Sequence, residues 1–432
     1  MVYKLGCVEE TPQNLLGGLM DTSTTDVWLT NRRWHHDYPE LGTDPIPIAP
    51  YTSAEHFELE RDRIFKKVWL FASRIEKIPN PGDFHVVDLP ICETSVVLVR
   101  GNDGEVRAFH NVCPHRGNKL AYDQSGNTRR LVCRFHGWAY DLEGTLRLVP
   151  DEDNWFDLDK SCHGLTPVAV DVWEGFVFIN LDPEPAHTLQ EYLGEAAETL
   201  DGYPFAETSS QSYCFRTVLN ANWKLVKDAF QEVCHTPFQH HRSLPDGFVS
   251  KENPYTHVID MRLYGPHGRA SLFGNHDHVP SPVQALAYAH GSTLVSSVFS
   301  GESEATAPVG VNPTESEHWA FELTVFFPCF FVGVTEGNYF AHQFLPIDID
   351  HTQIDITAYF PKAQNLAQRF SQEYSRVIFR DIFLEDGRQL EETQSMLSSG
   401  AHSSFPLKDE ELLVRQSHHA VQRMVDGHGI MP

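Results

Sequence analysis

Two short Cys/His pairs in the chain have the donor types and the spacing of a metal site. They are Cys113-Pro114-His115 and Cys133-Arg134-Phe135-His136, with residues 116 to 132, seventeen in all, between them. Each pair follows a β-rich run and is closely followed by a glycine, Gly117 after the first and Gly137 after the second. The pattern predicts two matched loops that present a thiol and an imidazole each to one point. Two thiolates and two imidazoles can hold zinc tetrahedrally, or a [2Fe–2S] cluster with sulfur ligands on one iron and nitrogen ligands on the other. The plain alternative is two buried cysteines with incidental histidines nearby, and the repeated spacing argues against it.

A second group starts at Asn222-Trp223-Lys224 and runs through Asp228, Ala229, Phe230, Glu232, Val233, Cys234 and His235 to Thr236-Pro237-Phe238-Gln239-His240-His241. The spacing predicts a helix from Asn222 through His235, with Glu232 and His235 at i and i+3 on one face. On an ideal helix His235 and His240 would diverge by about 140°, so a break at Pro237 must swing His240 back. Far downstream, Leu384-Glu385-Asp386-Gly387 sits in an apolar helical run where adjacent acids are out of place unless one is used. Two histidines and one carboxylate, with positions left open, are the ligand set of non-heme Fe(II) that activates O₂. A histidine-rich helix end that merely complements the helix dipole is the competing reading. His241, beside His240, is an alternative ligand.

The elements that must carry these groups can be sketched from periodicity. Residues 1 to about 50 read as an extended arm with a short helix near Leu15, and a helix is expected from Ser53 to about Lys67. Phe84–Leu89, Thr94–Arg100, Glu105–Phe109, Trp138–Tyr140, Thr145–Leu148 and Gly175–Leu181 read as strands, with Gly101-Asn102-Asp103-Gly104 a hairpin turn. A helical stretch covers Leu189 to Leu200, strands are expected at 318–327, 329–335, 339–345 and 353–360, and a long helix spans Gln364 to Leu397. The fold class is therefore α+β: an arm over residues 1–50, a small all-β module over 51–185, and over 186–432 an antiparallel sheet flanked by helices. No internal repeat or low-complexity tract is visible.

Composition narrows the function. Lys+Arg 33 against Asp+Glu 59 gives a formal charge of −26, and no basic run opposes it, so nucleic-acid binding is disfavoured. With 41% hydrophobic and 21% charged residues the chain can bury a large core. The longest apolar stretch, Val325 to Val334, is ten residues and broken by Pro328 and Gly333, short of the roughly 20 needed to span a bilayer. Without a secretory signal pattern the expectation is a cytoplasmic protein that does not enter membranes. Eight cysteines are too few for a disulfide scaffold.

The stretches Asn111-Val112-Cys113-Pro114-His115-Arg116-Gly117 and Cys133-Arg134-Phe135-His136-Gly137-Trp138-Ala139-Tyr140-Asp141 resemble the Rieske module of the large subunits of Rieske non-heme iron oxygenases, the ring-hydroxylating enzymes. The block from Asn222 to His240 with Asp386 resembles the catalytic part of the same family, so the likeness runs from about Ile46 to Gln394. It implies a helix-grip catalytic domain, Cys113 and Cys133 on one iron of a [2Fe–2S] cluster, His115 and His136 on the other, and His235, His240 and Asp386 on a mononuclear Fe(II). Glu232 matches the acid that links this iron to a cluster histidine, here His136, across a subunit boundary in the family's homotrimers. The chain departs from the family in having Glu at 232 where many dioxygenating members have Asp, Cys234 where Tyr commonly stands, and Ala229 in place of an Asn. The longer acid at 232 resembles that of monooxygenating or demethylating members.

The resemblance implies an O₂-dependent oxygenase component that hydroxylates, by cis-dihydroxylation, an aromatic or other apolar small molecule. The alternative is a monooxygenase or demethylase of a quaternary ammonium or methoxy compound. A cluster-only electron carrier and a zinc-stabilised binding protein are the further alternatives. Because no Gly-rich dinucleotide loop is present, NAD(P)H and flavin belong to a separate reductase or ferredoxin partner. A small second subunit is compatible with the likeness. Asp228, Ala229, Phe230, Phe238, Phe379, Ile382 and Phe383, with Phe327, are expected to line the pocket, and Asp228 either supports a ligand or recognises a substrate cation. The stretch His257 to Gly310 is expected to supply substrate-side loops, with His267, His276 and His278 on loops or surface.

Overall fold

In a computed structural model, residues 32–244, 246–291, 308 and 310–430 are described. The expected helix near Leu15 lies outside them. After a one-turn helix at Ala49–Thr52, helix α1 (Ala54–Glu60) is capped as its sequence requires, with the Ser53 side chain accepting the backbone N–H of His56.

Ten short strands follow, three of them in a small sheet of their own. They are β1 (Leu70–Arg74), β2 (Asp83–Leu89), β3 (Thr94–Arg100), β4 (Val106–His110), β5 (Ser125–Asn127), β6 (Leu131–Val132), β7 (Ala139–Tyr140), β8 (Leu146–Leu148), β9 (Pro167–Trp173) and β10 (Phe176–Asn180). Seven form an antiparallel sheet in the order β1-β10-β9-β4-β3-β2-β5, while β6-β7-β8 form the three-stranded sheet. The two Cys/His loops lie beside this small sheet, around a separate apolar cluster that includes Val97, Phe109, Trp138 and Tyr140.

After α2 (Leu189–Glu198) the second large sheet begins. Its strands are β11 (Gln211–Leu219), β12 (Asp260–Tyr264), β13 (His267–Phe273), β14 (Trp319–Phe326), β15 (Phe330–Val334), β16 (Tyr339–Asp348) and β17 (His351–Phe360), in the order β11-β17-β16-β15-β14-β13-β12, all antiparallel. β17 alternates, with Thr352, Ile354, Ile356 and Ala358 turned inward. The middle strands are buried on both faces. One face meets the first module, where Phe71 stacks on Phe330 with centroids 4.2 Å apart and the Gln343 side chain donates to the Phe71 carbonyl.

Helices cover the other face: α3 (Trp223–Asp228), α4 (Thr236–Gln239), α5 (Pro282–Tyr288), α6 (Leu366–Leu397) and α7 (Leu412–Val425). Phe379, Phe383, Asp386, Leu390 and Gln394 form the buried stripe of α6. Gly387 lets α6 approach Leu219 closely, since a Cβ there would meet that side chain at 3.3 Å. Among the described residues no helix is long and apolar enough to cross a membrane.

Two expectations need correction. Among its described residues the stretch from His257 holds β12, β13 and α5, and His267, expected on a loop or the surface, is buried on β13 with Arg269. His267 donates to the Tyr192 carbonyl and accepts the Phe327 N–H, and Arg269 pairs with Asp260 and Glu322, so these polar residues are core because their partners are. The helix α1, read as the start of the all-β module, packs instead on α7 and α3. Trp223 donates to Glu60 at 2.7 Å, and Lys224 pairs with Glu60 at 2.5 Å, both charges fully buried.

Candidate functional site

The segment that was to be one helix to His235 is two. α3 stops at Asp228, and His235 is the residue before α4, with His240 just after it. The Glu232 carboxylate competes with the helix ladder, because its Oε2 accepts the backbone N–H of Cys234 at 2.5 Å and of His235 at 3.3 Å. Pro237 then starts the short helix where its missing N–H costs nothing. One helical turn therefore separates the two histidines, and their rings converge.

The convergence is tight. Nε2 of His235 and Nε2 of His240 are 3.2 Å apart, and Asp386 Oδ1 lies 3.2 Å from the second and 3.7 Å from the first. His240 and Asp386 are buried, and His235 is partly open. His241 is exposed and lies outside the group, so the alternative ligand is not favoured.

Both Nδ1 atoms are committed to carboxylates: His235 to Glu232 at 2.5 Å and His240 to Glu385 at 2.9 Å. With those protons held at Nδ1, each Nε2 is a lone pair facing the other and a carboxylate oxygen. Three acceptors at such distances repel unless a cation lies between them, so the donor set fits Fe(II). Burial alone would raise the pKa of Glu232 above the ordinary carboxylate range, but the His235 hydrogen bond and charge, with the two backbone N–H groups, outweigh it and hold the group ionised.

Glu385 was not assigned from the sequence. It accepts from His240 and from the Ser243 hydroxyl at 2.7 Å, while its neighbour Asp386, about 100° further round α6, points inward. The paired acids in an apolar run were the signal, because each serves a different atom of one site.

Beside the three ligand atoms is a cavity of about 110 Å³, walled by Phe230, Phe321, Phe340, Phe379, Phe383 and Leu272. Ala229 and Ile382 also line it, as expected. Asp228, Phe238 and Phe327 do not. Phe238 is exposed, and Phe327 is packed in the core. Asp228 leaves α3 on the opposite side, where the Tyr51 hydroxyl donates to it at 2.7 Å and His418 Nε2 lies 2.8 Å away. Asp228 thus supports the packing of the segment around Tyr51 and of α7 rather than facing the cavity.

The Cys/His loops are near copies. The N–H of Gly117 donates to the Cys113 carbonyl and that of Gly137 to the Cys133 carbonyl, with both glycines at positive φ, 73° and 72°. Cys113 and Cys133 are buried, and the His115 and His136 rings are 4.4 Å apart, His115 stacked on Trp138. Nδ1 of both histidines is buried without a hydrogen-bond partner among the described residues. Burial opposes ionisation of Cys133, but the backbone amides of Phe135 and His136 outweigh it and lower the thiol's pKa, favouring the thiolate. Two thiols, two orphaned imidazole nitrogens and a shared rim fit a [2Fe–2S] cluster.

Comparison with known proteins agrees. The family model for the ring hydroxylating alpha subunit (catalytic domain) matches residues 189–427, and that for the Rieske [2Fe-2S] domain matches residues 68–170. The carnitine monooxygenase oxygenase subunit of Escherichia coli (strain K12) is 34% identical over 190 residues, 44% of this chain and 50% of that protein. The large oxygenase component of the naphthalene 1,2-dioxygenase system of Pseudomonas aeruginosa is 36% identical over 201 residues, 45% of this chain and 44% of that protein. The matched part thus spans about half the length of these relatives. The solved structure of naphthalene 1,2-dioxygenase from Rhodococcus sp. bound to indole superposes with a TM-score of 0.70 at 21% identity, covering 93% of this chain and 100% of that one, which shows a shared fold. With one model over its first sheet and another over more than half its length, the chain belongs to the Rieske-type ring-hydroxylating alpha-subunit family.

Proposed function

We propose that the chain is the oxygenase component of a cytoplasmic system that uses O₂ to hydroxylate an aromatic or other apolar small molecule, with electrons from a separate ferredoxin or flavin reductase. The observation that carries this reading is the convergence of His235, His240 and Asp386 on one point at the wall of a phenylalanine-lined cavity. On this reading residues 1–50 are an arm, 51–185 the cluster module apart from α1, which packs with the catalytic helices, and 186–432 the catalytic domain. Cys113, His115, Cys133 and His136 would hold the [2Fe–2S] cluster, and His235, His240 and Asp386 the mononuclear Fe(II). When bound, these groups supply single electrons and O₂ activation.

The chain's own residues do the rest. The aromatic walls exclude water and hold a flat apolar molecule beside the ligand set. Glu232 and Glu385 keep the Nδ1 protons in place, so both Nε2 atoms face the same point. Glu232 is also proposed to reach His136 of a neighbouring copy in a homotrimer, with or without a small second subunit. Asp228 acts from behind, through Tyr51 and His418, to fix the start of the ligand segment.

Product analysis under ¹⁸O₂, with a reductase supplying electrons, tests this. Two labelled oxygens in a ring diol support cis-dihydroxylation, and oxygen uptake without any labelled product contradicts the reading. A second reading, monooxygenation or demethylation of a quaternary ammonium compound, is favoured by Glu at position 232 and by the likeness to a carnitine monooxygenase subunit. One labelled oxygen, or release of formaldehyde, would select it.

A further inference from the structure

Resting on the first of those readings, we propose that His342 hydrogen-bonds the substrate, and that the substrate is a neutral, single-ring-sized apolar molecule with one hydrogen-bonding substituent.

His342 stands in the middle of β16, opposite Phe331 and Ile356 on the neighbouring strands, and its ring forms part of the cavity wall. It is 8% exposed, and neither ring nitrogen has a hydrogen-bond partner among the described residues. Its neighbours are aromatic: Phe230 and Phe340 with centroids at 5.2 Å, and Phe344 at 6.1 Å. The other buried histidine on this sheet, His267, has both nitrogens matched. A neutral imidazole carries one donor and one acceptor, and leaving both unmet in an apolar wall is costly. A leucine or phenylalanine would fill that space without the cost, so the polar ring is explained by a partner that arrives with the substrate.

The chemistry of the wall limits that partner. Burial pushes the His342 pKa down to about 3, so the ring is uncharged at neutral pH. No Lys or Arg lines the cavity among the described residues, and the Glu232 and Asp386 carboxylates offset the charge of the Fe(II) the site would hold, so a carboxylate substrate finds no net counter-charge. A quaternary ammonium group has neither a donor nor an acceptor for His342. A hydroxyl, carbonyl or amide on an apolar ring satisfies both walls. The volume, about 110 Å³, is of the order of cavities that admit one benzene ring.

The test uses the holoenzyme and four probes: toluene, benzyl alcohol, benzoate and tetramethylammonium. Kd is measured anaerobically for the parent, His342→Phe and His342→Gln, with iron and sulfide assayed on the same samples. The ratio of the benzyl alcohol Kd to the toluene Kd should rise about tenfold in His342→Phe through weaker benzyl alcohol binding, and stay within about threefold of the parent in His342→Gln, which keeps a donor and an acceptor. A ratio unmoved by His342→Phe, equal weakening of both probes, tightest binding of benzoate or tetramethylammonium, or no binding of any probe overturns the proposal. If iron and sulfide are intact in such a case, only the substrate assignment has failed. Absent mononuclear iron in the parent removes the oxygenase reading and this proposal together.

Discussion

Replacing Glu232 by Gln removes one negative charge while keeping size and shape, and the geometry dictates two poor choices for the amide. If the amide oxygen keeps the His235 Nδ1 proton, the NH₂ group is turned toward the backbone N–H groups of Cys234 and His235, and two hydrogen bonds to a carboxylate are lost. Bonds to a charged group are worth about 1.5–3 kcal/mol each, so the loop that carries His235 loses stability. If instead the NH₂ faces Nδ1, the imidazole proton must move to Nε2, the atom that points at His240 and Asp386, and His235 can no longer ligate. In either case the imidazole loses the charge that raises its basicity. Losses of this kind typically weaken a metal site 10–100-fold, or about 1.4–2.7 kcal/mol. Anaerobic calorimetric titration of Fe(II) into protein stripped of mononuclear iron reads this directly, with the visible colour of the cluster as an internal control. A Kd within about twofold of the parent, with colour intact, would show that the Glu232–His235 bond does not tune the site.

Four further outcomes are expected. Asp386→Ala should abolish mononuclear iron and turnover while the cluster's absorption persists, because the two ligand sets lie in different modules, one on loops beside the small sheet and one at the ends of α4 and on α6; loss of colour would contradict this. Cys133→Ser should do the reverse, bleaching the protein while Fe(II) still binds at His235, His240 and Asp386. Lys224→Met should cost about 3–5 kcal/mol in denaturant unfolding, since it strands the Glu60 carboxylate in the core, and Glu60→Leu/Lys224→Met should recover most of it; a single variant as stable as the parent would refute the coupling. His267, whose burial lowers its pKa to about 4, is neutral when folded, so its contribution is complete above the unfolded value near 6.5 and is lost as pH falls toward 4, by about 3 kcal/mol. His267→Gln should flatten that limb of the stability profile, and an unchanged limb would place the loss elsewhere.

The ligand sets were legible because metals demand particular atoms at particular spacings. Cys113, His115, Cys133 and His136 sit on loops whose geometry repeats, and the Asn222 motif fits its surroundings: Asn222 caps α3, Trp223 and Lys224 meet Glu60, and the helix is anchored before the ligands begin. The helix break was misplaced because propensity cannot show a side chain such as Glu232 outcompeting the backbone ladder. Glu385 went unassigned because its partner, His240, is 145 residues away in sequence. Strands β12 and β13 were missed since His267 and Arg269 look like surface residues until Tyr192, Asp260 and Glu322 arrive from other elements. The terminal helix α7, which closes over α1 and Tyr51, was missed as well. Its apolar stripe is interrupted by Arg415, Ser417 and His418, each buried against a partner that sequence alone does not reveal.

The central claim, two distinct iron sites on one chain, is tested most directly by iron and acid-labile sulfide per chain on anaerobically purified protein. The account predicts about three irons and about two sulfides, the sum of a [2Fe–2S] cluster and one mononuclear site, with a third of the iron lost in Asp386→Ala. Zinc without sulfide, or two irons that added Fe(II) cannot raise to three, would contradict it.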